Sequence, residues 1–529
     1  MIRMSAFGGA DYQTEPHLLD DATAQQAVDC WFETGSLGPI HDLGAVDATL
    51  TSSPSSIYRF AGEFWFSWSE HVDVVQGPVP GDTEERTYFT GYGAPKMTMA
   101  GIATSGSTES YPTVAYDLGV PAPDSSADAT VTGEPDDEDD TAESRVYTYT
   151  FVSAYGEEGP PAPPSSTVHP KPGQSVELGN LASPPTGNRN IDRIRVYRSA
   201  TAAGDTEYLY LTEIEASETS IVDDAPTEEL SEPLPSMDWD PPPGDMEGLV
   251  AMPNGVLAGH RGKEVCFSEP YYPHAWPVSY RLTMDHPVVG LATTQEGLVV
   301  ATTATPYIVS AAHPSAASMQ EIEHPMGCVS GRGMVDMGEQ AWFPTAEALV
   351  AVGAKGVQRI SDEILGEDNW KALHPETIHA YRWRDRYIAF YDGEDGKGGF
   401  MVSPGGSRFT FLDLYADSGW TDPETGDLFL LVDNEVWRWN DTGRRTYRWR
   451  SKDYINAGAP AISAARVDAD EYPVTLRLFA DGEEVAEREI PDGRIHRLPA
   501  TRGRRFAFEL EGTATVYTAA LGQGIEEVL

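Results

Sequence analysis

Positive charge is scarce in this 529-residue chain, where 36 Lys and Arg stand against 83 Asp and Glu for a formal net charge of -47. Lysine is scarcer still: Lys96, Lys171, Lys263, Lys355, Lys371, Lys397 and Lys452 are the whole set. Such a chain cannot gain affinity for nucleic acid by releasing counterions from phosphates, and an anionic membrane repels it. Cysteine is nearly absent. Cys30, Cys266 and Cys328 are too few and too far apart for a disulfide framework, and they suit a reducing compartment as small apolar residues. No run of about 18 apolar residues occurs, so no membrane insertion is expected. The opening MIRMSAFGGADYQTEPHLLDD has no apolar leader, which predicts synthesis and folding in a cytosol.

Signatures of catalysis are missing too. Gly327-Cys328-Val329-Ser330-Gly331 has the wrong spacing for a nucleophile elbow, and Gly331-Arg332-Gly333 lacks the third Gly of a dinucleotide loop. There is no Walker A, H-E-x-x-H or paired C-x-x-C. These absences speak against an NTPase, a zinc protease and a serine hydrolase. His260, Cys266, His274, His286, His313, His324 and Cys328 fall within one stretch, but at spacings too irregular for a zinc site. The acid run Asp136 to Asp140 lacks the Gly and terminal Glu of an EF-hand loop and reads as solvated. No enzyme, cofactor or metal is expected.

What is present points to strands. Fifty Gly, forty Pro and many Thr, Val and Tyr favour short strands and frequent turns, and the length allows two to four domains. One short N-terminal helix is expected after Asp20 or Asp21, with Ala22, Ala24, Ala27, Val28 and Trp31 at helical spacing and a stop near Gly35. Residues 1–120 otherwise read as strands, including a hairpin over 56–68. Residues 121–144 read as an acidic linker or loop, and 145–238 as a β-sandwich similar to a fibronectin type III module, inserted into the larger fold.

Residues 239–443 carry an internal repeat. Five segments share an apolar run, a polar or Gly turn and a second apolar run: 256–268, 298–310, 349–361, 387–403 and 428–440. Their starts lie about 40–50 residues apart, the period of a propeller blade. The expected fold is therefore all-β: a β-propeller closed by N-terminal strands, with the inserted sandwich. A C-terminal antiparallel β domain follows over 444–529, turning at Asp481-Gly482 and Asp492-Gly493. Acids and bases nearly balance in that last domain. Two basic clusters lie there, Arg444, Arg445, Arg448, Arg450 and Lys452, then Arg502, Arg504 and Arg505. In so acidic a chain they read as one half of a complementary subunit interface.

Three stretches resemble the tail nozzle proteins of podoviruses, the tail tubular protein B-like family. They are MSAFGGADYQTEPHLLDDATAQQAVDCWFETGSLGPI (4–40), KEVCFSEPYYPHAWP (263–277), similar to an F-S-E-P…P-H-x-W-P signature, and VDADEYPVTLRLFADG (467–482). The resemblance covers most of the chain. It implies a virion tail protein forming a hexameric ring below a tail adaptor, carrying or flanking tail fibres or spikes. Genomic DNA would pass through its lumen during ejection without specific binding. The resemblance does not extend to the acidic loop at 131–140. A propeller-type glycan-binding or glycan-cleaving surface protein is the alternative, and a halophilic host would itself favour an acidic, Lys-poor surface.

Overall fold

The computed structural model describes residues 1–106, 111–202, 205–310, 312–404 and 408–529. Regular structure is almost entirely strand; the α-helices among the described residues are Ala100–Ala103 and Gly366–Ala372. The chain forms two compact units. One holds Met1–His71, Val289–Val309 and Gln320–Leu529, and the other Val72–Val288 with Ser310–Met319.

In the first unit the repeated hairpins are antiparallel pairs within four-stranded meanders. Arg386–Gly393 pairs with Gly396–Val402, and Leu428–Val432 with Glu435–Arg438, each as the middle pair of its meander. Leu349–Gly353 and Gly356–Arg359 form an outer pair instead. Gly297–Thr302 pairs with Tyr307–Ser310 as the middle pair of its four-stranded sheet. The meander of Ser418–Thr421, Leu428–Val432 and Glu435–Arg438 takes its fourth strand from far upstream, Val46–Thr49. The hairpin over 56–68 also forms, as Ser56–Phe60 with Phe64–Trp68, turning on Ala61 and Gly62 at positive φ.

No helix follows Asp20. The segment is strand, Ala24–Val28 and then Cys30–Trp31. Ala24–Val28 lies between Thr410–Leu412, which it parallels, and Tyr447–Ser451, which it opposes with Ala27 across from Trp449. Alanine spacing suits a helix, but so short an isolated helix is marginal in water. A slot between two strands satisfies the same backbone groups, and Ala24 and Ala27 are fully buried there in one core with Phe7 and Trp449. Tertiary context overrides propensity here.

Through this strand the Arg386–Leu412 meander continues into the C-terminal domain, as one sheet running on through Tyr447–Ser451, Arg505–Gly512, Val474–Ala480 and Glu483–Ile490. A second C-terminal sheet orders Ile2–Met4, Val516–Gly522, Ala461–Ala469 and His496–Arg502. Val474, Leu476, Leu478, Phe506, Phe508 and Leu510 of one sheet share a core with Val467, Val516, Ala519 and Leu521 of the other. Asp481 and Gly482 both have positive φ, as a two-residue hairpin requires. Asp492-Gly493 does not close a hairpin: the strands on either side of it belong to different sheets.

In the second unit, Asp73–Gln76, Thr87–Thr90, Lys96–Thr98 and Tyr116–Asp117 make one four-stranded sheet. Glu247–Ala251, Leu257–Arg261, Glu264–Phe267 and Leu282–Thr283 make another, with the hairpin expected over 256–268 at its centre. The sandwich has two three-stranded sheets, Asp128–Thr132/Ser175–Gly179/Ile221–Asp223 and Tyr147–Ser153/Ile191–Ala202/Asp205–Glu215. It thus begins inside the stretch read as linker, because Ala129 and Val131 alternate into an edge strand opposite Leu178 and Val176. The Pro-rich run lies along Tyr147–Ser153, where Gly159, Ala162 and Ser165 supply the N–H groups that the prolines lack.

Candidate interaction surfaces

The basic clusters do not form one patch. Arg444 reaches Asp470 at 3.2 Å and Glu471 at 3.6 Å. Arg445 is half-buried and bonded to Asp29 at 3.1 Å, Asp42 at 3.0 Å and the Asp413 carbonyl. Arg448 stands 4.0 Å from Glu511, and Arg450 lies over the Phe479 ring at 3.7 Å. Lys452 meets Asp21 at 3.2 Å, and Arg505 meets Asp453 at 3.4 Å. These side chains fasten strands of the same chain to one another. Arg502 and Arg504 differ: both are exposed, with no ion pair among the described residues. They flank Gly503 at the turn between His496–Arg502 and Arg505–Gly512. Asp481 fixes that turn by accepting from the amides of Arg504 and Arg505, both at 3.0 Å.

A second surface lies in the stretch 237–280. Trp239 packs on Tyr272 with ring centroids 4.5 Å apart and planes tilted by 34°, and His274 meets both rings edge-on. Glu269 accepts from the Tyr280 hydroxyl at 2.8 Å, and the Tyr280 ring meets His313 edge-on. Burial first, then Glu269 and Asp238, push the Tyr280 phenol up to about 12. Tyr271 packs against Gly255, whose positive φ and missing Cβ leave room for the ring. Trp276 is buried and donates to the Pro273 carbonyl, anchoring the loop. Sequence reasoning picked out this loop only through its resemblance. The nearest direct signal was the spacing of Met237, Trp239, Tyr271 and Tyr272 among prolines.

The histidines and cysteines scatter. His274 is buried and pushed down to about 4 by that burial, while His286 and His324 are exposed. Cys30, Cys266 and Cys328 are buried free thiols. Among the described residues no group of three or more His, Cys, Asp and Glu converges as a metal site. The acid run is tied to the chain at 171–172: the Asp136 amide donates to the Pro172 carbonyl at 2.8 Å, and Glu138 meets Lys171 at 3.4 Å.

A cavity of about 300 Å³ opens in the first unit, walled by Tyr12, Tyr391 and Phe411 with Asn369, Asp395 and Lys397 in its lining. Asp395 is the one carboxylate in its lining.

No protein-family model and no curated protein matches the chain. Among solved structures it is similar to the extracellular domain of a putative hybrid two-component system from B. thetaiotaomicron, with 9% identity, 64% of this chain and 42% of that one covered, and a TM-score of 0.27. The chain thus spans less than half of that structure's length. A second such domain from the same organism gives 10% identity, 92% and 75% coverage, and a TM-score of 0.27. The AfRom2 CNH domain gives 8%, 72% and 98%, and 0.25. Likenesses this loose carry no argument about function.

Proposed function

We propose that the chain is a structural protein of a short phage-type tail, a subunit of the ring or nozzle that continues the DNA conduit. In this reading the virion tail is its location and the host cytoplasm its place of synthesis. A tail adaptor sits above it and fibres or spikes attach to it. It works without catalysis or cofactor, and genomic DNA passes its lumen without specific binding.

One observation carries the reading. Carboxylates outnumber cations more than twofold, and most cations are consumed in pairs within the chain, so the surface left over is negative. A wall of that sign repels phosphate and lets a duplex slide. The four-stranded meanders suit blades of a propeller. A strand from the N-terminal region completing the Ser418–Arg438 meander is the kind of closure that holds such a ring of blades shut.

Negative-stain imaging of the purified chain is expected to reveal rings with a central channel. A strictly monomeric protein by light scattering overturns the ring. A mobility-shift titration with duplex DNA at about 0.1 M salt is expected to show no complex. Tight, salt-sensitive binding overturns the repelling wall.

A further inference from the structure

We propose that the Arg502–Arg504 turn of one copy docks on the aromatic, acidic shelf formed by Trp239, Tyr272, Asp238 and Glu269 of a neighbouring copy. This rests on the ring reading and names the contact that would join its subunits.

The two surfaces are complementary in charge. Among the described residues, one carries guanidinium groups that form no ion pair and the other carboxylates that no Lys or Arg answers, Glu269 being bonded only by the Tyr280 hydroxyl and near His313. Arg502 and Arg504 are exposed cations without an ion pair among the described residues, in a chain where Arg is usually spent on its own carboxylates. Beside them Ile455 is 64% exposed, on a short strand that pairs it with Arg505, and the Asn456 amide bonds the Arg504 carbonyl. Two guanidinium groups and an exposed aliphatic side chain make a typical interface anchor.

The shelf offers the converse. Tyr271, Tyr272 and Val278 are 47%, 45% and 55% exposed, and Met237 is exposed next to Asp238. No Lys or Arg pairs with Asp238 or Glu269 among the described residues; the His313 imidazole lies 3.8 Å from Glu269. A guanidinium laid on Trp239 or Tyr272 gains a cation–π contact and finds carboxylates within reach. Because donor and acceptor surfaces are different patches, the contact is heterologous, the kind that closes rings.

The test is a charge exchange read by mass photometry across a protein dilution series, with melting curves to confirm folding. R502E/R504E and D238K/E269K are each expected to weaken assembly at least tenfold, and the four changes together to restore it. W239A, which alters no charge, is expected to weaken assembly less. Assembly of R502E/R504E indistinguishable from the parent overturns this contact while leaving the ring in place. Loss in both pair variants without recovery in the fourfold variant also overturns it. If the E269K change unfolds the chain, D238K with R504E supplies the same exchange, and failure to recover there counts equally. A parent that stays monomeric at every concentration overturns both the contact and the ring.

Discussion

The inserted sandwich and the C-terminal domain are both two-sheet β structures of about a hundred residues, yet they handle charge differently. Residues 121–238 hold 24 Asp and Glu against 6 Lys and Arg; residues 444–529 hold 14 against 13. In the sandwich all six cations are occupied. Arg198 and Asp223 are fully buried and 2.8 Å apart, and Tyr147 also donates to Asp223 at 2.6 Å. Arg195 bridges Glu158 and Glu213, and Arg145 reaches Glu143 and Asp223. Arg193 meets Glu213, Lys171 meets Glu138, and Arg189 donates to the carbonyls of Leu118 and Gly119. What remains on the outside is carboxylate. The C-terminal domain has its own network, Arg477 with Glu487, Glu509 and Glu511, but after all pairing it still shows Arg502 and Arg504 to solvent. One region presents a surplus of carboxylate, and the other still presents cations. A host-salt explanation of acidity would load both alike.

The largest expected effect breaks the sandwich at its buried pair. Arg198→Ala leaves the buried Asp223 carboxyl without its nearest cation, a loss on the order of 3–5 kcal/mol. Thermal melting followed by near-UV circular dichroism should show the sandwich unfolding early. Arg477→Ala in the C-terminal domain, where solvent still reaches Glu487 and Glu511 although Glu509 is buried, is expected to cost less, on the order of 1 kcal/mol. Equal losses would mean that burial does not set the difference.

How far these regions were readable from sequence follows the same physics. The repeated hairpins were legible because period-two alternation and Gly or Asp turns are local, as at Asp481-Gly482. The Ala24–Val28 strand was not, since its partners Thr410–Leu412 and Tyr447–Ser451 lie hundreds of residues away and propensity alone favoured helix. The basic residues were visible as a run, but sequence could not show that Arg445 is spent on Asp29 and Asp42 while Arg502 and Arg504 are unspent. Ion pairing is a long-range property. The sandwich strand Ile191-Asp192-Arg193-Ile194-Arg195-Val196-Tyr197-Arg198 did carry a hint in its alternating arginines, which face carboxylates of the adjoining strand.

Salt gives the next largest effect. Raising NaCl from about 0.05 to 1 M shortens the Debye length from above 10 Å to about 3 Å, which relieves like-charge repulsion in the sandwich. Amide hydrogen exchange in Tyr147–Ser153 is expected to slow on the order of tenfold, about 1.4 kcal/mol. Exchange in Val474–Ala480, where the charges nearly cancel, should change little. A uniform response in both strands would remove the contrast.

The smallest effect comes from two carboxyls whose shifts have opposite sign. Burial raises the Glu157 carboxyl in the sandwich above its ordinary 4.5, with Arg86 and the Ser153 hydroxyl only partly offsetting it. A raised acid binds protons more readily folded than unfolded, so its stabilising share is complete below 4.5 and is lost as pH rises. Glu157→Gln should therefore raise the melting temperature at pH 7, and the gain should vanish below pH 4.5. For Asp470 in the C-terminal domain, burial pulls upward but is outweighed by bonds from Thr515 and Arg444, leaving it below its ordinary 3.8. Its share is present above 3.8 and is lost as pH falls, so Asp470→Asn should lower the melting temperature at pH 7 and converge with the parent in acid. Melting curves of both variants between pH 3 and 7 read the two signs directly. Shifts of the same sign would show that the two domains do not differ in how they hold their acids, because a surplus carboxylate strains the sandwich only if cations are lacking to answer it.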